Sequence, residues 1–121
     1  MAETSFPVRS CEIEGNKPVH IVDINGVLDI HTTRHLENIV NELIGNNARW
    51  IIINFKKCSY ISSAGLGALM SGAKQLRSRE GDLYLENLSK KIMTVVELVG
   101  FNKILKIYKK EKEALRAIAE S

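Results

Sequence analysis

Trp50-Ile51-Ile52-Ile53-Asn54-Phe55 passes through Lys56 into Lys57-Cys58-Ser59-Tyr60-Ile61-Ser62-Ser63-Ala64-Gly65-Leu66-Gly67-Ala68-Leu69-Met70. The first six residues are almost unbroken apolar sequence of strand length, the pattern of a strand buried on both faces of a sheet. Beyond them, Leu66, Leu69, Met70, Ala73 and Leu76 recur at helical spacing. A strand therefore hands over to a helix, and Ser62 and Ser63 stand at the handover. A serine hydroxyl there can bond an otherwise unpaired helix N–H. The same N–H groups and the helix dipole favour an anion, so the hydroxyl can cap the helix and can also carry a phosphate. Capping alone is the commoner role. Gly65 and Gly67 fall in the first turn, where glycine costs about 1 kcal/mol relative to alanine. Close approach of another molecule and tight helix–sheet packing both account for them.

Upstream, Phe6 to Glu14 reads as a first strand, Gly15-Asn16 as a turn, and Val19 to Ile24 as a second strand that Asn25-Gly26 ends. Thr32 or Thr33 is the expected cap of the next helix, on which Leu36, Ile39, Val40, Leu43 and Ile44 form an apolar stripe up to Gly45-Asn46-Asn47. Downstream, the glycine-bearing helix runs to about Ser78. A short strand follows over Asp82–Glu86. Ser89 caps a helix with Ile92, Val95, Val96 and Val99 inward and Gly100 as its stop. Phe101 to Lys103 reads as a loop, Ile104 to Tyr108 as a last strand, and Glu111 to Glu120 as a terminal helix facing in with Ala114, Leu115, Ile118 and Ala119.

The order is β-β-α-β-α-β-α-β-α. Such alternation predicts an α/β fold with a mixed, mostly parallel sheet and an antiparallel edge from the first hairpin. In such sheets the working face lies at the carboxyl ends of the strands. The loop holding Asp29 and the Ser62-Ser63 turn both follow strands, so both are expected at that end.

A length of 121 residues sets one domain, 1–121. With 45% hydrophobic residues a real core is possible, and a net charge of +3 demands neither nucleic acid nor an anionic membrane. Cys11 and Cys58 are far apart and form no CxxC pair, so a reducing compartment is expected. Met1-Ala2-Glu3-Thr4-Ser5 lacks the apolar core of a signal peptide, and no apolar run has the length of a membrane helix. The expected location is the cytoplasm.

His31 and His35 have a spacing that can place two metal ligands on one helix face, but His31 is read as preceding the helix and no third ligand is evident; His20 lies in a strand. No metal and no cofactor are expected. A nucleophilic Ser63 with His31 as base would make an enzyme, yet ISSAGLG is not the GxSxG elbow, and the expectation is a protein that is not an enzyme. The lysines at 103, 106, 109, 110 and 112 are diluted by Glu111 and Glu113 and read as a solvated face, without direct nucleic-acid binding.

Ser59-Tyr60-Ile61-Ser62-Ser63-Ala64-Gly65-Leu66-Gly67 resembles the signature of STAS domains, specifically the bacterial anti-sigma factor antagonists. Gly26-Val27-Leu28-Asp29-Ile30-His31-Thr32 resembles that family's loop after the second strand, and the element order agrees over essentially the whole chain. The resemblance implies Ser63 as phosphoacceptor, with Ser62 as the alternative and Asp29 close by. It implies a partner surface of Asp29, His31, Ser62, Ser63, Ala64, Gly65, Leu66 and Gly67. It further implies an anti-sigma factor serine kinase of GHKL type as partner and a PP2C-type phosphatase that resets the cycle. Two departures stand out: the family usually has aspartate where Ser62 stands, and an acidic residue where Val27 stands. The alternative expectation is a non-switching STAS subunit of a transporter or stress-signalling assembly, in which Ser63 only caps.

Overall fold

The computed structural model describes residues 3–121. The hairpin comes first: β1 (Val8–Ile13) and β2 (Lys17–Leu28) pair antiparallel across a turn in which Gly15 and Asn16 both take the positive φ that a tight hairpin demands. Then follow α1 (Ile30–Gly45), β3 (Trp50–Ile61), α2 (Ser63–Arg77), β4 (Asp82–Glu86), α3 (Lys90–Leu98), a 3₁₀ turn at Phe101–Lys103, β5 (Lys106–Tyr108) and α4 (Glu111–Ala119). This is the expected order. The sheet runs β1-β2-β3-β4-β5, and every pair after the first is parallel.

Strand alternation divides the core in two. Odd-numbered Ile51, Ile53 and Phe55 of β3, with Leu83 and Leu85 of β4, face the layer built from Leu36 and Val40 of α1, Leu69 and Leu76 of α2, and Ile92 and Val96 of α3. Ile52 and Tyr84 point the other way, with Val19 and Ile21 of β2, and are covered by Ala114 and Ile118 of α4. Ile51, Ile52 and Ile53 are all fully buried, which accounts for the unbroken apolar run.

The structure corrects several boundaries. Asn25-Gly26 does not end β2. The strand continues to Leu28 through register shifts, and Gly26 sits at φ +132°, a conformation open to glycine, packed against Thr4. A dipeptide that often makes a hairpin turn here makes a bulge. β3 likewise runs past Phe55 to Ile61. The cap of α1 is Asp29, not Thr32 or Thr33, so His31 lies inside the first turn of the helix. Val99 is half exposed rather than inward, because α3 ends at Leu98. β1 and β5 are shorter than expected.

Candidate functional site

β4 pairs with β3 only as far as Asn54↔Glu86. Beyond it β2 and β3 continue together, through Asn25↔Lys57 to Leu28↔Ile61, as a two-stranded ribbon that overhangs the sheet. The backbone N–H of Ser62 donates to the Leu28 carbonyl at 2.8 Å and ties the two strand exits together. From these exits the chain enters α1 through Asp29 and α2 through Ser62. Neighbouring strands lie about 4.8 Å apart, so two helix N-termini open side by side at the tip of the ribbon.

Asp29 is committed to its own helix. Its Oδ1 accepts from the N–H of Thr32 at 2.8 Å and of His31 at 2.9 Å, and its own N–H donates to Thr32 Oγ1 at 3.0 Å. Thr32 thus completes a reciprocal capping box. The Thr32 N–H, first among these donors, holds the Asp29 carboxyl below its usual range, so it is a fixed negative charge at neutral pH.

Ser62 caps α2, its Oγ accepting from the Gly65 N–H at 3.2 Å. Ser62→Ala is expected to cost about 1 kcal/mol and to lower Tm by about 4 °C. Thermal unfolding checks this; an unchanged Tm would contradict the capping role.

Ser63 is the first residue of α2 and is exposed. The two serines therefore differ: Ser62 is half-buried and engaged as the cap, whereas Ser63 is exposed and is not the cap. The two glycines differ too. Gly65 is buried, and a Cβ there would lie 2.9 Å from Ile61 Cγ1 and 3.2 Å from Leu28 Cβ, so α2 packs directly onto the strand exits. At Gly67 a Cβ would meet nothing within 4 Å among the described residues, and Gly67 is exposed. Of the expected partner surface, His31, Ser63, Ala64 and Gly67 are exposed, Asp29 and Ser62 are half-buried, and Gly65 and Leu66 are buried beneath them.

Two apolar side chains beside the site were missed in the sequence. Ile30, directly after Asp29, is 70% exposed, and Tyr60, two residues before Ser62, is 49% exposed. Ile30 lies off the helical stripe of Leu36, Val40 and Ile44, a signal that marks it as outward.

The remaining candidates lie apart from one another. His31 and His35 are exposed on α1, while His20 Nδ1 meets Ser10 Oγ at 2.9 Å on the β1–β2 hairpin. Among the described residues no group of three or more His, Cys, Asp and Glu is placed to hold a metal. Cys58 is buried, and burial pushes its thiol above the ordinary range; Cys11 is exposed. Among the described residues no helix is long and apolar enough to cross a membrane.

The chain has recognisable relatives. The model of the STAS domain matches residues 10–114. An anti-sigma-B factor antagonist of Staphylococcus aureus is 28% identical over 86 residues, 71% of this chain and 80% of its own. An anti-sigma F factor antagonist of Paenibacillus polymyxa is 27% identical over 105 residues, 86% of this chain and 90% of its own. The Bacillus cell fate determinant SpoIIAA, solved in its phosphorylated form, has the same fold, with a TM-score of 0.68 at 22% identity over 94% of this chain and 99% of its own. With the family model spanning both strand exits and every helix that carries the site, the chain belongs to the STAS domain family.

Proposed function

We propose that this chain is an anti-sigma factor antagonist, docking through the ribbon tip to a GHKL-type anti-sigma serine kinase and released by phosphorylation of Ser63. The observation that carries the reading is the placement of one exposed hydroxyl, on Ser63, at a helix N-terminus beside the fixed charge of Asp29. The names of the Staphylococcus and Paenibacillus relatives support the same reading. In it the protein is the substrate of the kinase and not a catalyst. A PP2C-type phosphatase returns it to the binding form, and both encounters take place in the cytoplasm. Ser62 is the alternative acceptor.

Docking needs more than a hydroxyl. Ala64 and Gly67 keep the first turn of α2 low, while Ile30 and Tyr60 rise beside it as apolar anchors. Exposed apolar anchors of this kind concentrate binding energy, about 2 kcal/mol or more each when removed. Ile30→Asp or Tyr60→Asp is therefore expected to weaken binding of the purified kinase by about thirtyfold or more. Leu98→Asp is the control, since Leu98 is 81% exposed and ends a helix that runs back toward the opposite end of the sheet. Calorimetric titration separates the outcomes. Losses at Ile30 and Tyr60 with none at Leu98 support the reading; equal effects at all three, or no binding by the unmodified protein, would refute it.

A further inference from the structure

Glu86 ends β4 with no exposed surface, and among the described residues no donor reaches either of its carboxyl oxygens. A buried carboxylate in that position lacks any compensation for lost water. Its surroundings are acidic and arranged by other elements. Glu111, in the first turn of α4, is held by Arg9 of β1 at 2.8 Å, and the same guanidinium grips Asp23 of β2 at 2.8 Å. From β3, the register partner Asn54 donates its amide to Asp23 at 2.8 Å and accepts from Asn87 at 2.9 Å. From β5, Tyr108 stands opposite Glu86 in the register. One cation, Arg9, is thus shared by two carboxylates, and Glu86 is left outside the pairing.

We propose that Glu86 is a proton-operated latch for α4: neutral, it lets the helix close on the sheet; ionised, it repels Glu111 and lifts the first turn of α4. The proton passes to solvent as the turn opens. Burial first, then the neighbouring Glu111 carboxylate, raises the Glu86 carboxyl to about 8, so the folded protein keeps its proton through neutral pH. Glu111 moves the other way, held low first by Arg9. The far end of α4 is tethered separately, because Lys17 Nζ donates to the carbonyls of Ile118 at 3.1 Å and Ser121 at 2.8 Å. Opening therefore starts at the Glu111 end and bares the apolar face of Ile21, Ile52 and Tyr84 under Ala114 and Ile118. The latch lies on the opposite face of the sheet from α1 and α2, and it does not depend on Ser63 being an acceptor.

The sign follows from linkage. A carboxyl whose folded value is raised holds a proton that the opened or unfolded chain has lost, so its contribution to closure is fully present below the ordinary value of 4.5, falls as pH rises above it, and is lost by the time pH passes about 8. Amide hydrogen exchange reads this directly. After correction for intrinsic exchange, the protection of the α4 amides from Ala114 to Ile118 is expected to fall about fiftyfold between about pH 6 and pH 8. In Glu86→Gln it should stay constant over that range. An equal fall in both proteins, or no fall in the unmodified one, would overturn the latch. The Glu86 side-chain carboxyl carbon, followed by NMR in the unmodified protein, gives a reading even if the variant does not fold. A midpoint near 8 supports the latch, and one in the ordinary carboxylate range overturns it.

Discussion

Ser63→Ala is expected to bind the anti-sigma serine kinase as tightly as the unmodified protein, and Ser63→Asp to bind it about thirtyfold more weakly. Alanine removes an exposed hydroxyl that the cap of α2 does not use, since Ser62 supplies that bond. Aspartate adds one negative charge to a helix N-terminus, where the dipole favours it, so the fold should be unharmed or slightly stabilised. Its effect is on the partner. Facing a carboxylate about 8 Å away at an effective dielectric of about 20, one charge costs about 2 kcal/mol. A phosphate reaches further and carries nearly two charges. At about 4 Å each charge costs up to about 4 kcal/mol, close to a thousandfold in affinity. Asp29 strengthens the contrast, because it stays ionised and cannot relieve the crowding by taking up a proton at neutral pH. Titration calorimetry with the purified kinase, alongside thermal unfolding of both variants, separates a switched surface from a damaged fold. Equal affinities for the alanine and aspartate variants would contradict the switch.

Gly81→Ala is expected to be the most damaging single methyl in the chain, at about 3 kcal/mol. The turn after α2 passes flush against the start of β3. Gly81 donates its N–H to the Leu76 carbonyl at 2.8 Å, and the next N–H, from Asp82, donates to the Arg49 carbonyl at 2.9 Å. A Cβ on Gly81 would overlap that carbonyl oxygen and lie 2.6 Å from its carbon. These are backbone atoms, which no rotamer change can move aside. Relief would require pulling β4 from its register with β3, where Asp82 pairs with Trp50. Denaturant unfolding measures the loss, with Gly67→Ala as the comparison. Among the described residues nothing lies within 4 Å of a Cβ at Gly67, and alanine there should be neutral or stabilising by up to about 1 kcal/mol. A small effect at Gly81 would mean that the loop yields, contrary to its bonding.

The elements that bury themselves by simple periodicity were legible in the sequence. Trp50–Phe55 announced a central strand, Asp82–Glu86 emerged with the expected bounds, and Ser89 caps the helix it was expected to cap; of the two serines at the handover into α2 it is Ser62 that caps, which the sequence left open. The overhanging ribbon was not legible. Its strands are irregular, so Lys56, Lys57, Ser59 and Tyr60 all face out between inward Phe55, Cys58 and Ile61, and alternation fails. Asn25-Gly26 reads as a turn by composition, and only pairing with β3 converts it into a bulge. The α1 cap was missed because its box closes with Thr32 in place of the usual acid, leaving Asp29 free to be read as a loop residue. That Asp29 and Ser62-Ser63 emerge together at the strand exits was legible, but which of their neighbours are buried and which exposed was not. Depth in the sheet is a tertiary property, and it sends Gly65 and Leu66 inward while Ser63 and Gly67 face out. Glu86 hides for the same reason: alternation along β4 puts it on the α4 side, and only the packing of that helix takes it out of water.

Phosphosite mapping of the protein taken from its native cells, including cells that lack the cognate phosphatase, is the direct test of the Ser63 switch. A single phosphate on Ser63 is expected, accumulating when the phosphatase is absent. A chain that carries no phosphate at Ser63 or Ser62 under any growth condition would contradict it and leave the ribbon tip as the fixed docking face of a constitutive subunit.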